Sequence, residues 1–125
     1  MLSGLFSKSE KTEIPWKQLN NVSELIEVDE VSKHKPVLLF KHSTRCSISS
    51  MALSRFERSY SENPPFELYF VDLIAFRDIS NAIAERYGVK HESPQTVLVK
   101  DGKAIFNSSH MGINYDELNK VAQNL

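Results

Sequence analysis

A chain of 125 residues with 15 Lys and Arg against 16 Asp and Glu is one domain long, enough to bury roughly two-thirds of its unfolded surface. Its near-neutral charge supplies no field for nucleic acid or an anionic membrane, so neither is expected as a partner. A single cysteine excludes an internal disulfide and suits a reducing compartment. The opening MLSGLFSKSEKTE has too short an apolar stretch for a secretory signal or a membrane span. The expectation is a soluble cytoplasmic protein with a flexible tail at residues 1–13 and a single domain at 14–125.

Hydrophobic periodicity orders the domain. Ile14 to Leu19 reads as a short edge strand, and Ser23 is placed to cap a helix carrying Leu25, Ile26 and Val31. Pro36-Val37-Leu38-Leu39-Phe40 is a continuous apolar run of strand formers, the pattern of a central strand covered on both faces. From Cys46 to Tyr60, Ile48, Met51, Ala52, Phe56 and Tyr60 recur at helical spacing until Asn63-Pro64-Pro65 stops them. Phe66 to Asp72 is a second strand, and Asp78 is placed to cap a helix with Ile79, Ala82, Ile83 and Tyr87 on one face and Gly88 at its end. After Ser93-Pro94, two strands flank Asp101-Gly102, a strong hairpin signal. Asn114, with Glu117 three residues on, can cap a last helix carrying Tyr115, Leu118, Val121 and Leu125. The result is an α/β domain of order β-α-β-α-β-β-α behind the edge strand, with right-handed crossovers in its parallel part.

The lone Cys46 falls where the first central strand gives way to a helix, flanked by Arg45 and Ser47 rather than by apolar residues. The C-terminal end of a strand is where α/β folds place ligands. A thiolate attacks disulfides and a thiol does not, and the first turn of a helix favours the thiolate: its dipole and the unpaired N–H groups of Ile48 and Ser49 can face the sulfur. Arg45 is a permanent cation that can add to this field, and His42 is a second candidate for tuning it. Ser49 stands where a dithiol oxidoreductase has its second cysteine. Its hydroxyl can hydrogen-bond a thiolate but cannot resolve a mixed disulfide, so the chemistry has to be monothiol.

The element order, with a cysteine at the first strand-to-helix junction and a Ser-Pro before the hairpin, resembles the thioredoxin fold over about residues 14–125. That resemblance implies a central mixed sheet flanked by helices, a cis bond before Pro94 facing the sulfur, and backbone groups of Ser93 that pair with an extended substrate. More narrowly, F40-K41-H42-S43-T44-R45-C46-S47-I48-S49 is similar to the FKHST-x-C-x-I-S signature of the YtxJ-like family of monothiol bacilliredoxins. The family's usual residue at position 47 is Pro; Ser47 makes a less rigid loop the expectation. The resemblance implies removal of bacillithiol, or a related low-molecular-weight thiol, from protein mixed disulfides. Cys46 would be the nucleophile, and Thr44, Ser47, Ser93 and Pro94 would meet the substrate. The small thiol would be a co-substrate, S-thiolated proteins the partners, no cofactor would be bound, and the chain would act as a monomer.

Other cysteine chemistries fit less well. A phosphatase loop needs an Arg six residues after its Cys, where this chain has Ala52. A hydrolase would have to recruit His42 or His110 across the fold, with residue type as its only support. An iron-sulfur glutaredoxin would carry C-G-F-S where this chain has C-S-I-S. His34, His42, His91 and His110 show no zinc-ligand spacing with one cysteine. The rival from a different class is a non-catalytic thioredoxin-like binding module that docks a partner along the Pro94 edge, with Cys46 structural.

Overall fold

The run that follows Pro36 becomes a strand, Val37–His42, buried at all six positions. In the computed structural model, which describes residues 13–125, it is the middle strand of five. Residues 1–12 of the expected tail lie outside the described residues. The elements in chain order are β1 (Lys17–Gln18), α1 (Glu24–Ser32), β2 (Val37–His42), α2 (Ser47–Ser59), β3 (Glu67–Asp72), α3 (Arg77–Tyr87), β4 (Gln95–Lys100), β5 (Lys103–Ser109), a 3-10 turn at His110–Gly112 and α4 (Tyr115–Gln123). The strands lie in the spatial order β1-β3-β2-β4-β5. β1 and β2 run parallel to β3, whereas β4 is antiparallel to both β2 and β5. This is the mixed α/β sheet expected from the sequence.

Side chains alternate across a strand, so β2 feeds two cores. Val37 and Leu39 join Leu25 and Val28 of α1 and Ile79 and Ile83 of α3. Leu38 and Phe40 join Ala52 and Phe56 of α2 and Leu118 of α4. By the same alternation Lys41 belongs to the α1/α3 face and His42 to the α2/α4 face. Aromatic rings fill the second core: the Phe56 centroid is 5.4 Å from Phe40, 5.6 Å from Trp16 and 5.2 Å from Tyr115. Trp16 also packs 5.3 Å from Phe70, which anchors β1 although only two of its residues pair.

Several local signals act as the sequence indicates. Gly88 ends α3 in the left-handed region at φ 65°, Asp101 and Gly102 take φ 54° and 74° in the hairpin turn, and Asn114 Oδ1 accepts the Glu117 N–H at 2.9 Å. Others differ. Ser23 makes no side-chain cap; its N–H and hydroxyl both donate to Asn21 Oδ1, while Glu24 reaches back to accept the Asn20 and Asn21 amides. Asp78 is already inside α3, which begins at Arg77, and among the described residues its carboxylate accepts only the adjacent Ile79 N–H. Asp72 orders that turn instead, accepting the Ile74 and Ala75 amides. In α2 the buried stripe is Ser49, Ala52 and Phe56, whereas Ile48 and Met51, which belong to its helical apolar spacing, are 46% and 56% exposed. Leu125 lies past the end of α4 and is exposed.

Phe56 touches the aromatic layer from its centre, so Phe56→Ala should cost about 3–5 kcal/mol. Against a usual total of about 5–15 kcal/mol, urea unfolding should show a sharply lowered midpoint.

Candidate active site

β2 delivers the chain to the site and α2 takes it away. After His42 the loop turns tightly, with the Cys46 N–H donating to the Ser43 carbonyl at 3.2 Å and the Cys46 carbonyl accepting the Ser50 N–H at 3.0 Å. Cys46 is thereby the N-cap residue of α2, extended at φ −113° and ψ 121°. The N-cap side chain makes no capping hydrogen bond among the described residues, and no acidic residue occupies the first turn. The N–H groups that an Asp or Ser oxygen at the N-cap would ordinarily take therefore have no such partner. Cys46 is half-buried, while Thr44, Arg45 and Ser47 on either side of it are exposed.

Ser49 is fully buried. Its Oγ accepts the Ser43 N–H at 3.0 Å and lies 2.7 Å from His42 Nδ1. The Ser49 oxygen is thus engaged by the loop that holds the sulfur. Burial pushes the His42 pKa below its usual value, against the opposing pull of Asp72 and Glu57, which favours a neutral ring whose unprotonated Nδ1 can accept the Ser49 hydroxyl.

The second loop at this end of the sheet carries Ser93 and Pro94. The bond between them is cis. Lys41 of β2 pairs with Gln95 of β4, so Pro94 enters the sheet beside the strand end that leads to Cys46. The Pro94 carbonyl accepts the His110 N–H at 3.1 Å. Ser93 makes no backbone hydrogen bond among the described residues, and its buried Oγ has no partner there.

Sequence reasoning passed over a polar group next to this loop. Lys41 is fully buried, with its Nζ 2.9 Å from His91 Nδ1. Burial lowers its pKa to about 8, partly offset by Glu92. The available signal was a lysine ending a continuous apolar strand. Among the described residues no cluster of three His, Cys, Asp or Glu side chains could hold a metal, and no helix is long and apolar enough to cross a membrane.

The sheet order, the cis-Pro loop and a helix opening on a cysteine define a thioredoxin fold, and solved structures agree. A protein with a thioredoxin fold, assigned provisionally as an oxidoreductase, matches with a TM-score of 0.71 and 32% identity over 82% of this chain and 89% of its own. Thioredoxin from Fasciola hepatica matches at 0.65 and 21% identity, over 86% of this chain and 97% of its own. Mitochondrial thioredoxin 3 from Saccharomyces cerevisiae, in its oxidised form, matches at 0.60 and 24% over 88% and 95%. The family model described as monothiol bacilliredoxin BrxC matches residues 17–118. The chain belongs to that family, and its class is that of the thioredoxin-like thiol oxidoreductases.

Two outcomes follow from the loop geometry. Ser47 is the first residue of α2, where an N–H lacks an intrahelical partner, and Cys46 before it is already extended, as a residue preceding Pro must be. Ser47→Pro should therefore raise stability by about 0.4–1 kcal/mol, seen as a higher urea midpoint with unchanged slope. The second concerns acid. Because the folded pKa of His42 lies below 6.5, the stability it contributes is present above that pH and is lost as pH falls through the folded value. His42→Asn, whose amide oxygen can take the place of Nδ1 without titrating, should show a smaller fall in urea midpoint between neutral pH and pH 5.

Proposed function

We propose that this protein is a monothiol thiol-disulfide oxidoreductase that removes bacillithiol, or a related low-molecular-weight thiol, from S-thiolated proteins through Cys46. The observation that carries the reading is the place of the only cysteine, half-buried at the open N-terminus of α2 with no side-chain cap. The Cys46 thiolate attacks the small-thiol sulfur of the client's mixed disulfide. The old S–S bond breaks, a new one joins Cys46 to the small thiol, and the client leaves as a thiolate that takes up a proton. A second small-thiol thiolate then attacks the adduct, releases Cys46 and leaves as the symmetrical small-thiol disulfide. The cycle consumes one free small thiol, whose sulfur is oxidised to the disulfide level as the client sulfur is reduced to a thiol.

Each remaining residue has a part in this cycle. Arg45 adds positive charge beside the sulfur, Thr44 and Ser47 flank the incoming disulfide, and Ser49 with His42 fixes the turn that aims Cys46. The free N–H and C=O of Ser93, with Pro94 shaping the chain, receive the client segment in strand-like pairing. The protein acts as a monomer in a reducing cytoplasm, with the small thiol as co-substrate and no bound cofactor.

Incubation with a protein S-thiolated by bacillithiol should leave one bacillithiol adduct on Cys46, seen by intact-mass spectrometry, and should free the client thiol. Cys46→Ser should keep the fold and lose both signals. Retained de-thiolation in that variant would rule out the mechanism.

A further inference from the structure

The segment Lys90–Ser93 that leads into Pro94 is held from two sides. From the strand side, Gln95, fully buried, donates from Nε2 to the Lys90 carbonyl at 2.9 Å and accepts the Glu92 N–H on Oε1 at 3.3 Å. From beneath, the buried Lys41 reaches His91 Nδ1 at 2.9 Å, and the buried Ser80 hydroxyl of α3 lies 3.4 Å from the same nitrogen. His91 is the only hydrogen-bond partner of the Lys41 ammonium among the described residues. His91 itself is exposed, so protons from solvent reach it while its Nδ1 faces inward.

We propose that Lys41 and His91, with Gln95, form a protonation-gated latch that holds the Ser93–Pro94 edge in register for a client polypeptide and opens on acidification. The proposal rests on the reading of that edge as the client's docking strand. A neutral His91 offers Nδ1 as acceptor to the Lys41 ammonium. Protonation turns Nδ1 into a donor, sets two cations at hydrogen-bond distance, and removes the partner of a buried charge. The ring then leaves Lys41 and carries the neighbouring Glu92 and Ser93 with it. The groups facing His91 are Lys41 from β2, Arg77 and Ser80 from α3, and Glu92 from its own loop. Burial, Lys41 and Arg77 favour the neutral ring and only Glu92 opposes them. Glu92 is also shared with His110, 3.6 Å away, and Lys90, 3.9 Å away.

The latch acts on docking of a polypeptide and not on the sulfur, so the informative quantity is a ratio. Exchange rates of Cys46 are measured with a protein S-thiolated by bacillithiol and with bacillithiol disulfide, which has no chain to dock. Thiolate fraction affects both rates and cancels. From about pH 7.5 to about pH 5, across the histidine range, the protein-to-disulfide ratio should fall by about fivefold or more, within the ordinary range of coupling between sites. His91→Asn places a non-titrating oxygen where Nδ1 was and should hold the ratio high and flat. His91→Ala should hold it low at both pH values. A flat ratio in the wild type, or an equal fall in His91→Asn, overturns the proposal. Amide NMR of Glu92 and Ser93 provides a second reading. Their shifts should move with the His91 ring titration in the wild type and lose that component in His91→Asn. If neither substrate reacts with Cys46, the functional reading fails, while the amide titration still decides whether the latch exists.

Discussion

Two hydrogen bonds to one buried oxygen set the geometry of the site. Ser49 Oγ joins the Ser43 amide and the His42 ring, tying the first turn of α2 to the end of β2. The sulfur lies inside the closed loop this makes, so its position is inherited from a strand and a helix and not from a flexible segment. Beneath the tie, Phe40 from β2 and Ala52 and Phe56 from α2 share one core. The site is thus backed by packed side chains, and its two polar side chains, both buried, satisfy each other.

The same arrangement explains why a hydroxyl can stand at position 49 at all. A buried polar atom is tolerated where its hydrogen-bonding capacity is used, and here the loop amide and the imidazole use it. The helix end, by contrast, is left without a capping oxygen. The fold satisfies the groups that position the sulfur and leaves the N-cap without a side-chain partner, a division consistent with the role proposed for Cys46.

The sequence carried the architecture because its strong signals were local: the apolar run of β2, the Asp101-Gly102 turn, Gly88 at a helix end and the Asn114 cap all depend on near neighbours. In α2 the apolar spacing marks a helix but not its buried face. Ile48 and Met51 are apolar but exposed, while Ser49 is polar but buried. Only the partner at His42, seven residues back and across a turn, reveals which face points inward. Cys46 was legible from its place at a junction. The Lys41–His91 pair was not, since fifty residues separate the two groups and neither has a local motif. The cap of α3 was misplaced because Asp72, at the end of the preceding strand, does the ordering that Asp78 was expected to do.

β2 ends in two consecutive polar residues, Lys41 and His42, delivered to opposite faces of the sheet, one toward His91 and one toward Ser49. Register in a strand apolar on both faces is weakly specified by hydrophobicity, since a slip of one residue exchanges one set of apolar side chains for another. Val37 through Phe40 would tolerate that exchange. Lys41 and His42 would not: a slip would press the ammonium toward the aromatic layer and strand the imidazole on the opposite face, away from the Ser49 hydroxyl. The polar pair therefore works as an index mark, letting the most uniformly apolar strand of the fold assemble in one alignment only.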